Sequence, residues 1–148
     1  MGTQVTAAIG AKEEGRMSNF SVLIIEDDEV AAEIIEKMVQ HRRPDARVEW
    51  CWNGYEALVR VKDLQPDLIF LDFMMPKFDG LLFLRDLKKL DTETPPQVVV
   101  VSAFVDDERA KEFTAAGADS VLAKPVNADQ INKILKRTVK QPKPRPAE

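Results

Sequence analysis

Short apolar runs alternate with amphipathic stretches along this chain. Val22-Leu23-Ile24-Ile25 is aliphatic and β-branched, which predicts a buried strand. Ala31, Ile34, Ile35 and Met38 then recur at helical spacing and predict a helix with one apolar face. Val48-Glu49-Trp50-Cys51-Trp52 alternates as a strand does, with Val48, Trp50 and Trp52 on one side and a neighbouring helix expected to cover the two indoles. Asn53-Gly54 marks a turn. Ala57, Val61 and Leu64, with Leu58 beside them, predict a second helix, and 67–71 a third strand. Phe83, Leu87 and Leu90, with Leu84 alongside, give a third helix, and Val98 to Val101 a fourth strand. A weaker stripe of Ala110 and Phe113 follows, with Gly117 placed to cap its end. Val121-Leu122-Ala123 is a short fifth strand. Asn127 and Gln130 are spaced as a capping box before a helix that buries Ile131, Ile134, Leu135 and Val139. Strand then helix occurs five times, and four of the strands are continuous apolar runs. That pattern predicts an α/β fold, a doubly wound sheet of five parallel strands with helices on both faces.

The remaining segments and the composition narrow this picture. Residues 1–18 show no periodicity and read as a flexible leader. Residues 19–140 form the expected domain, and the proline-spaced stretch 141–148 reads as a flexible tail too short for an output domain. Hydrophobic residues at 45% and charged ones at 31% argue against disorder. The net charge of -4 argues against a nucleic-acid partner. No apolar run approaches the roughly 20 residues of a membrane span. One cysteine, Cys51, excludes an internal disulfide and a cysteine-based zinc site, so a reducing, cytoplasmic setting is expected. His41 falls at a helix end, where a cationic group suits the dipole.

The candidate chemistry lies at the strand ends. In an open parallel sheet, ligands bind outside the carboxyl ends of the strands, where strand order reverses. Glu26 and Asp27, with Asp28 beside them, follow the first strand; Asp72 follows the third, Ser102 the fourth and Lys124 the fifth. Clustered carboxylates without cysteine or histidine suit a hard divalent cation, most naturally Mg2+. Glu26, Asp27 and Asp72 can supply oxygens, and the Met74 backbone carbonyl can complete the protein share. A carboxylate beside such an ion can act as a nucleophile toward phosphorus and form an aspartyl phosphate at Asp72. Lys124 can pair with a phosphoryl oxygen, and the Ser102 hydroxyl can donate to another.

The set Ile25-Glu26-Asp27-Asp28, Leu71-Asp72-Phe73-Met74-Met75-Pro76 with Asp79-Gly80, Val101-Ser102-Ala103, Gly117-Ala118-Asp119 and Lys124-Pro125 resembles the receiver domain of two-component response regulators. The resemblance covers roughly Phe20 to Val139. It implies the flavodoxin-like strand order 2-1-3-4-5 and a cis bond between Lys124 and Pro125. It further implies that Asp72 receives a phosphoryl group from a histidine kinase or a histidine phosphotransfer domain. Asp27 and Glu26 then help hold Mg2+, Ser102 is the switch hydroxyl and Lys124 contacts the phosphoryl group. Output would pass to an unidentified downstream protein or onward by phosphotransfer, from a monomer or weak dimer. Catalysis would be limited to the domain's own phosphorylation and dephosphorylation. Met74 and Phe104 stand where side chains of this family border the path of the hydrolytic water. Both are apolar, so slow dephosphorylation is expected.

One position departs from the family pattern. A Tyr or Phe often stands three residues before the lysine and swings inward on activation; here that place is Val121. Either the loop after Ser102 and the 106–116 helix carry the change, or valine simply fills the strand and the output is tuned differently. Two other functions compete. A phosphoaspartate hydrolase of the haloacid-dehalogenase type would place a second aspartate two residues after the nucleophile, where this chain has Met74. A receiver that takes no phosphate and serves as a scaffold would have no use for the full acidic set.

Overall fold

In the computed structural model, which describes residues 20–92 and 94–139, every predicted strand and helix forms. The strands are β1 (Ser21–Ile25), β2 (Arg47–Cys51), β3 (Leu68–Asp72), β4 (Gln97–Ser102) and β5 (Ser120–Ala123). The helices are α1 (Glu29–Arg42), α2 (Ala57–Leu64), α3 (Gly80–Lys89), α4 (Asp107–Ala116) and α5 (Ala128–Val139). A 3-10 turn, Gly54–Glu56, precedes α2, and the Asn53 side chain accepts from the Glu56 N–H to start it. All four strand pairings are parallel, in the order β2-β1-β3-β4-β5. The expected 2-1-3-4-5 order is therefore observed. The leader expected over 1–18 and the tail expected over 141–148 lie outside the described residues.

The strand pleat divides the core in two. Leu23, Ile25, Ile69, Leu71, Val98 and Val100 bury one face with Val61, Phe83, Leu84, Leu87 and Phe113 of α2, α3 and α4. Val22, Ile24, Leu68, Phe70, Val99 and Val101 bury the other with Ala32, Ile35, Val39, Ile131, Ile134 and Leu135 of α1 and α5. The central strands carry apolar side chains on both faces because both faces are covered. Four of the five helix starts have a side-chain acceptor, α2 being the exception. Asp28, Asp79 and Asp106 cap α1, α3 and α4, and Asn127 with Gln130 forms the reciprocal box at α5. Gly117 ends α4 at φ 125°, a conformation other residues adopt only under strain.

Two expectations change. On α1 the buried stripe is Ala32, Ile35 and Val39, with Met38 packed beside it, while Ile34 is 47% exposed. Val30, Ala31, Ala32, Ile34, Ile35, Met38 and Val39 cover more than one face of that helix, so periodicity alone did not select the inward side. Trp52 does not continue the face of Val48 and Trp50. The strand ends at Cys51, the chain turns off toward the 3-10 element, and Trp52 is 61% exposed. Trp50 is half-buried and packs on the α1–α5 side.

α4 has one fully buried large side chain, Phe113, whose ring lies 4.2 Å from that of Phe73. Phe113→Ala is therefore expected to destabilise the domain by about 3–5 kcal/mol. Urea unfolding measures it, and a loss below roughly 1 kcal/mol would contradict this account of how α4 is anchored.

Candidate functional site

The sheet order brings the ends of β1, β3, β4 and β5 to one rim. The four consecutive acids after β1 separate into different jobs. Glu26 turns inward and is 2% exposed, whereas Asp27 is exposed. Asp28 caps α1, accepting from the N–H groups of Val30 at 2.9 Å and Ala31 at 3.5 Å. Glu29 lies in the first helical turn, where a negative charge suits the dipole. The Asp28 N–H also donates to Glu26 Oε2 at 3.1 Å, which ties the buried acid to the turn.

Asp72 closes β3 and is 4% exposed. Its Oδ1 accepts from the Met74 N–H at 3.1 Å. Lys124, just beyond β5 and joined to Pro125 by a cis bond, reaches back across the rim. Its Nζ lies 3.0 Å from Glu26 Oε1 and 3.5 Å from Asp72 Oδ1. One ammonium thus bridges two buried carboxylates. Oxygens of Glu26, Asp27 and Asp72 all lie within 4.8 Å of one another. Ser102 ends β4 with no exposure, and its hydroxyl serves its own loop. Its Oγ accepts from the Phe104 N–H at 3.3 Å and donates to the Phe104 carbonyl at 3.3 Å. Met74 and Phe104 are exposed side chains on this rim, at 52% and 71%. Val121 is half-buried in β5 and pairs with Val100.

The electrostatics follow from this crowding. Burial raises the Glu26 carboxyl to about 7, and its hydrogen bond with Asp72 adds to the rise. The bonds from Lys124 and from the Asp28 N–H oppose it without cancelling it. For Lys124, burial alone would lower the ammonium. The Glu26 hydrogen bond and the nearby Asp72 charge outweigh burial, so its pKa is raised. Three carboxylates against one ammonium leave the pocket short of positive charge. All the donors are hard oxygens, so the residues fit a divalent cation of the magnesium class.

The sequence reading did not find two neighbours of the site. The Trp50 indole N–H donates to the Glu26 backbone carbonyl at 2.7 Å. The Phe73 ring, one residue past Asp72, packs at a tilt against Phe113. No motif marks Trp50, and Phe73 falls within the quoted Leu71–Pro76 stretch without a role of its own. The alternation that placed Trp50 on a buried face was the one signal that it points into the fold.

Residues 22–136 match the family model described as response regulator receiver domain. The probable C4-dicarboxylate response regulator DctR of Bacillus subtilis is 31% identical over 118 residues, covering 80% of this chain and 51% of that protein. The osmosensing histidine protein kinase SLN1 of Saccharomyces cerevisiae is 32% identical over 123 residues, covering 80% of this chain and 10% of that protein. The chain thus spans about half the length of its response-regulator relatives and a tenth of the kinase. Among solved structures, the signal receiver domain of a DNA-binding response regulator from Colwellia psychrerythraea superposes with a TM-score of 0.77 at 28% identity, covering 82% of this chain and 99% of that one.

The raised Glu26 carboxyl has a consequence for stability in metal-free buffer. A carboxyl whose folded pKa lies above its unfolded value stabilises the fold in full below about 4.5, and that contribution is lost as pH rises through about 7. Urea unfolding between pH 5 and 8.5 in chelator should therefore show wild type losing stability relative to Glu26→Gln as pH rises. Parallel pH profiles for the two proteins would contradict this electrostatic account.

Proposed function

The chain belongs to the response regulator receiver domain family of two-component signalling, and we propose that Asp72 is its phosphoacceptor. Receiver domains are phosphorylated on an aspartate by histidine kinases and bind Mg2+ at an acidic pocket. The observation that carries the assignment is the bridge of Lys124 between Asp72 and Glu26 at the strand ends. An Asp72 oxygen attacks the phosphorus of a phosphohistidine. The P–N bond breaks, and the imidazole nitrogen keeps the bonding pair and takes up a proton. Glu26, Asp27, Asp72 and the Met74 carbonyl would hold the cation. When bound, Mg2+ supplies positive charge that offsets the charge on the transferring oxygens.

The chain's own groups do the rest. The Met74 N–H, already on Asp72 Oδ1, orients the carboxylate. Lys124 shifts from bridging two carboxylates to pairing with a phosphoryl oxygen. The Ser102 hydroxyl gives up the Phe104 carbonyl and donates to a phosphoryl oxygen, which frees the loop that leads to the Asp106 cap of α4. The Phe73–Phe113 ring contact offers a second link from Asp72 to the same helix. Signalling then proceeds through altered protein binding or onward phosphotransfer. We keep 19–140 as the proposed domain limits, around the matched residues 22–136. The Met74 side chain has no proton to give a leaving group, which counts against a hydrolase of the haloacid-dehalogenase type.

With a small phosphodonor and magnesium, wild type should gain the mass of one phosphoryl group and Asp72→Asn should gain none. No gain in wild type, or equal gain in the variant, rejects the assignment. Removing magnesium should slow the gain sharply.

Met74 and Phe104 offer no hydrogen bond to an attacking water, so the phosphorylated form is expected to be long-lived. Met74→Asn and Phe104→Glu should each speed its decay by roughly 3- to 10-fold, the worth of one hydrogen bond. A short-lived wild-type phosphoprotein, unaffected by either change, is the contrary result.

A further inference from the structure

Glu26 lies one residue past the end of β1, yet its backbone remains held as if the sheet continued. Its N–H donates to the Cys51 carbonyl at 3.1 Å, extending the β1–β2 ladder by one bond. In a continued parallel ladder, the Glu26 carbonyl would next accept from the N–H of Asn53. Asn53 instead opens the 3-10 turn. The Trp50 indole stands in for that donor at 2.7 Å. The carbonyl it holds belongs to the peptide group that joins Glu26 to Asp27. Fixing this peptide plane fixes the relation between two of the three clustered acids.

The geometry points to Trp50 as a positioning residue for the divalent-cation site, acting through the Glu26 carbonyl. This rests on the reading of Glu26, Asp27 and Asp72 as metal ligands. Three features support a role beyond packing. The bond is short, it reaches from the edge strand to a loop 24 residues away, and the group it satisfies lies beyond the last strand pair. A phenyl ring would keep much of the packing on the α1–α5 side, but it has no N–H. Loss of that donor frees the peptide to rotate, and a hard cation tolerates misplaced oxygens poorly.

The test uses the Trp52→Phe protein, in which Trp50 is the one remaining tryptophan. Trp50 is then replaced by benzothienylalanine, which keeps the ring shape and exchanges the N–H for sulfur. The urea midpoint should stay unchanged while Mg2+ affinity, measured by calorimetry without phosphodonor, falls about 3- to 10-fold. In the tryptophan protein, the Trp50 indole N–H resonance should exchange slowly with solvent and shift on adding Mg2+. Unchanged affinity, an indole resonance indifferent to Mg2+, or a loss of affinity matched by a loss of stability would each overturn the proposal. Asp27→Asn in the Trp52→Phe protein serves as the reference. If the parent binds no Mg2+ that Asp27→Asn weakens, the metal reading itself fails and this inference with it, while the Asp72 mass gain is scored separately.

Discussion

Two carboxylates buried within 4.8 Å of each other cannot both stay ionised without a counter-charge. At the effective dielectric of a protein, their repulsion is on the order of 3–4 kcal/mol. Lys124 supplies the counter-charge, and it can do so only if β5 stands where it does. β1 carries Glu26, β3 carries Asp72, and β4 separates β3 from β5. The strand order, the register of β4 on β5 and the turn after Ala123 together bring one ammonium to both acids. Burial first, and then the neighbouring Asp72, still hold the Glu26 carboxyl above its ordinary value despite Lys124. A pocket built this way is poised to accept further positive charge.

The fold was legible because four strands are unbroken apolar runs and each is followed by a capping acid, amide or turn. The rim residues were legible for a related reason. A charged or hydroxyl residue that ends such a run must sit at the edge of the sheet, and parallel topology gathers those edges on one side. Periodicity failed where apolar residues are in excess. α1 has enough of them to offer more than one inward face, so Ile34 was misplaced. Alternation failed where a strand stops early, as Trp52 shows. The contacts of Glu26 were legible only as far as Lys124 sharing its rim. That Lys124 and the Trp50 indole both reach it depends on tertiary distances that no local pattern encodes.

The hydroxyl of Ser102 illustrates a further limit. Its position at a strand end was evident, but its bonds to the Phe104 backbone were not. Those bonds matter because they give the hydroxyl something to lose. A group already satisfied within its own loop responds to a phosphoryl oxygen only if the new bond is better. A charged acceptor meets that condition, since hydrogen bonds to charged groups are roughly twice as strong as neutral ones.

Val121 places the remaining constraint on how a change at Asp72 could travel. β5 is an edge strand and only half-buried, and a valine there has no aromatic rotamer with which to register an inward movement. The aromatic contact lies instead between Phe73 and Phe113, on the core side of α4. Phe113 is the fully buried residue of that helix, and the neighbouring positions are mostly solvated. A helix fixed by one large anchor can move when that anchor moves. Phe73 follows Asp72 directly, and its N–H is bonded to the Val101 carbonyl, so its ring is referenced to the two strands that end in Asp72 and Ser102. The aromatic contact nearest the proposed phosphoacceptor thus joins the end of β3 to the helix that follows Ser102, and not to the fifth strand.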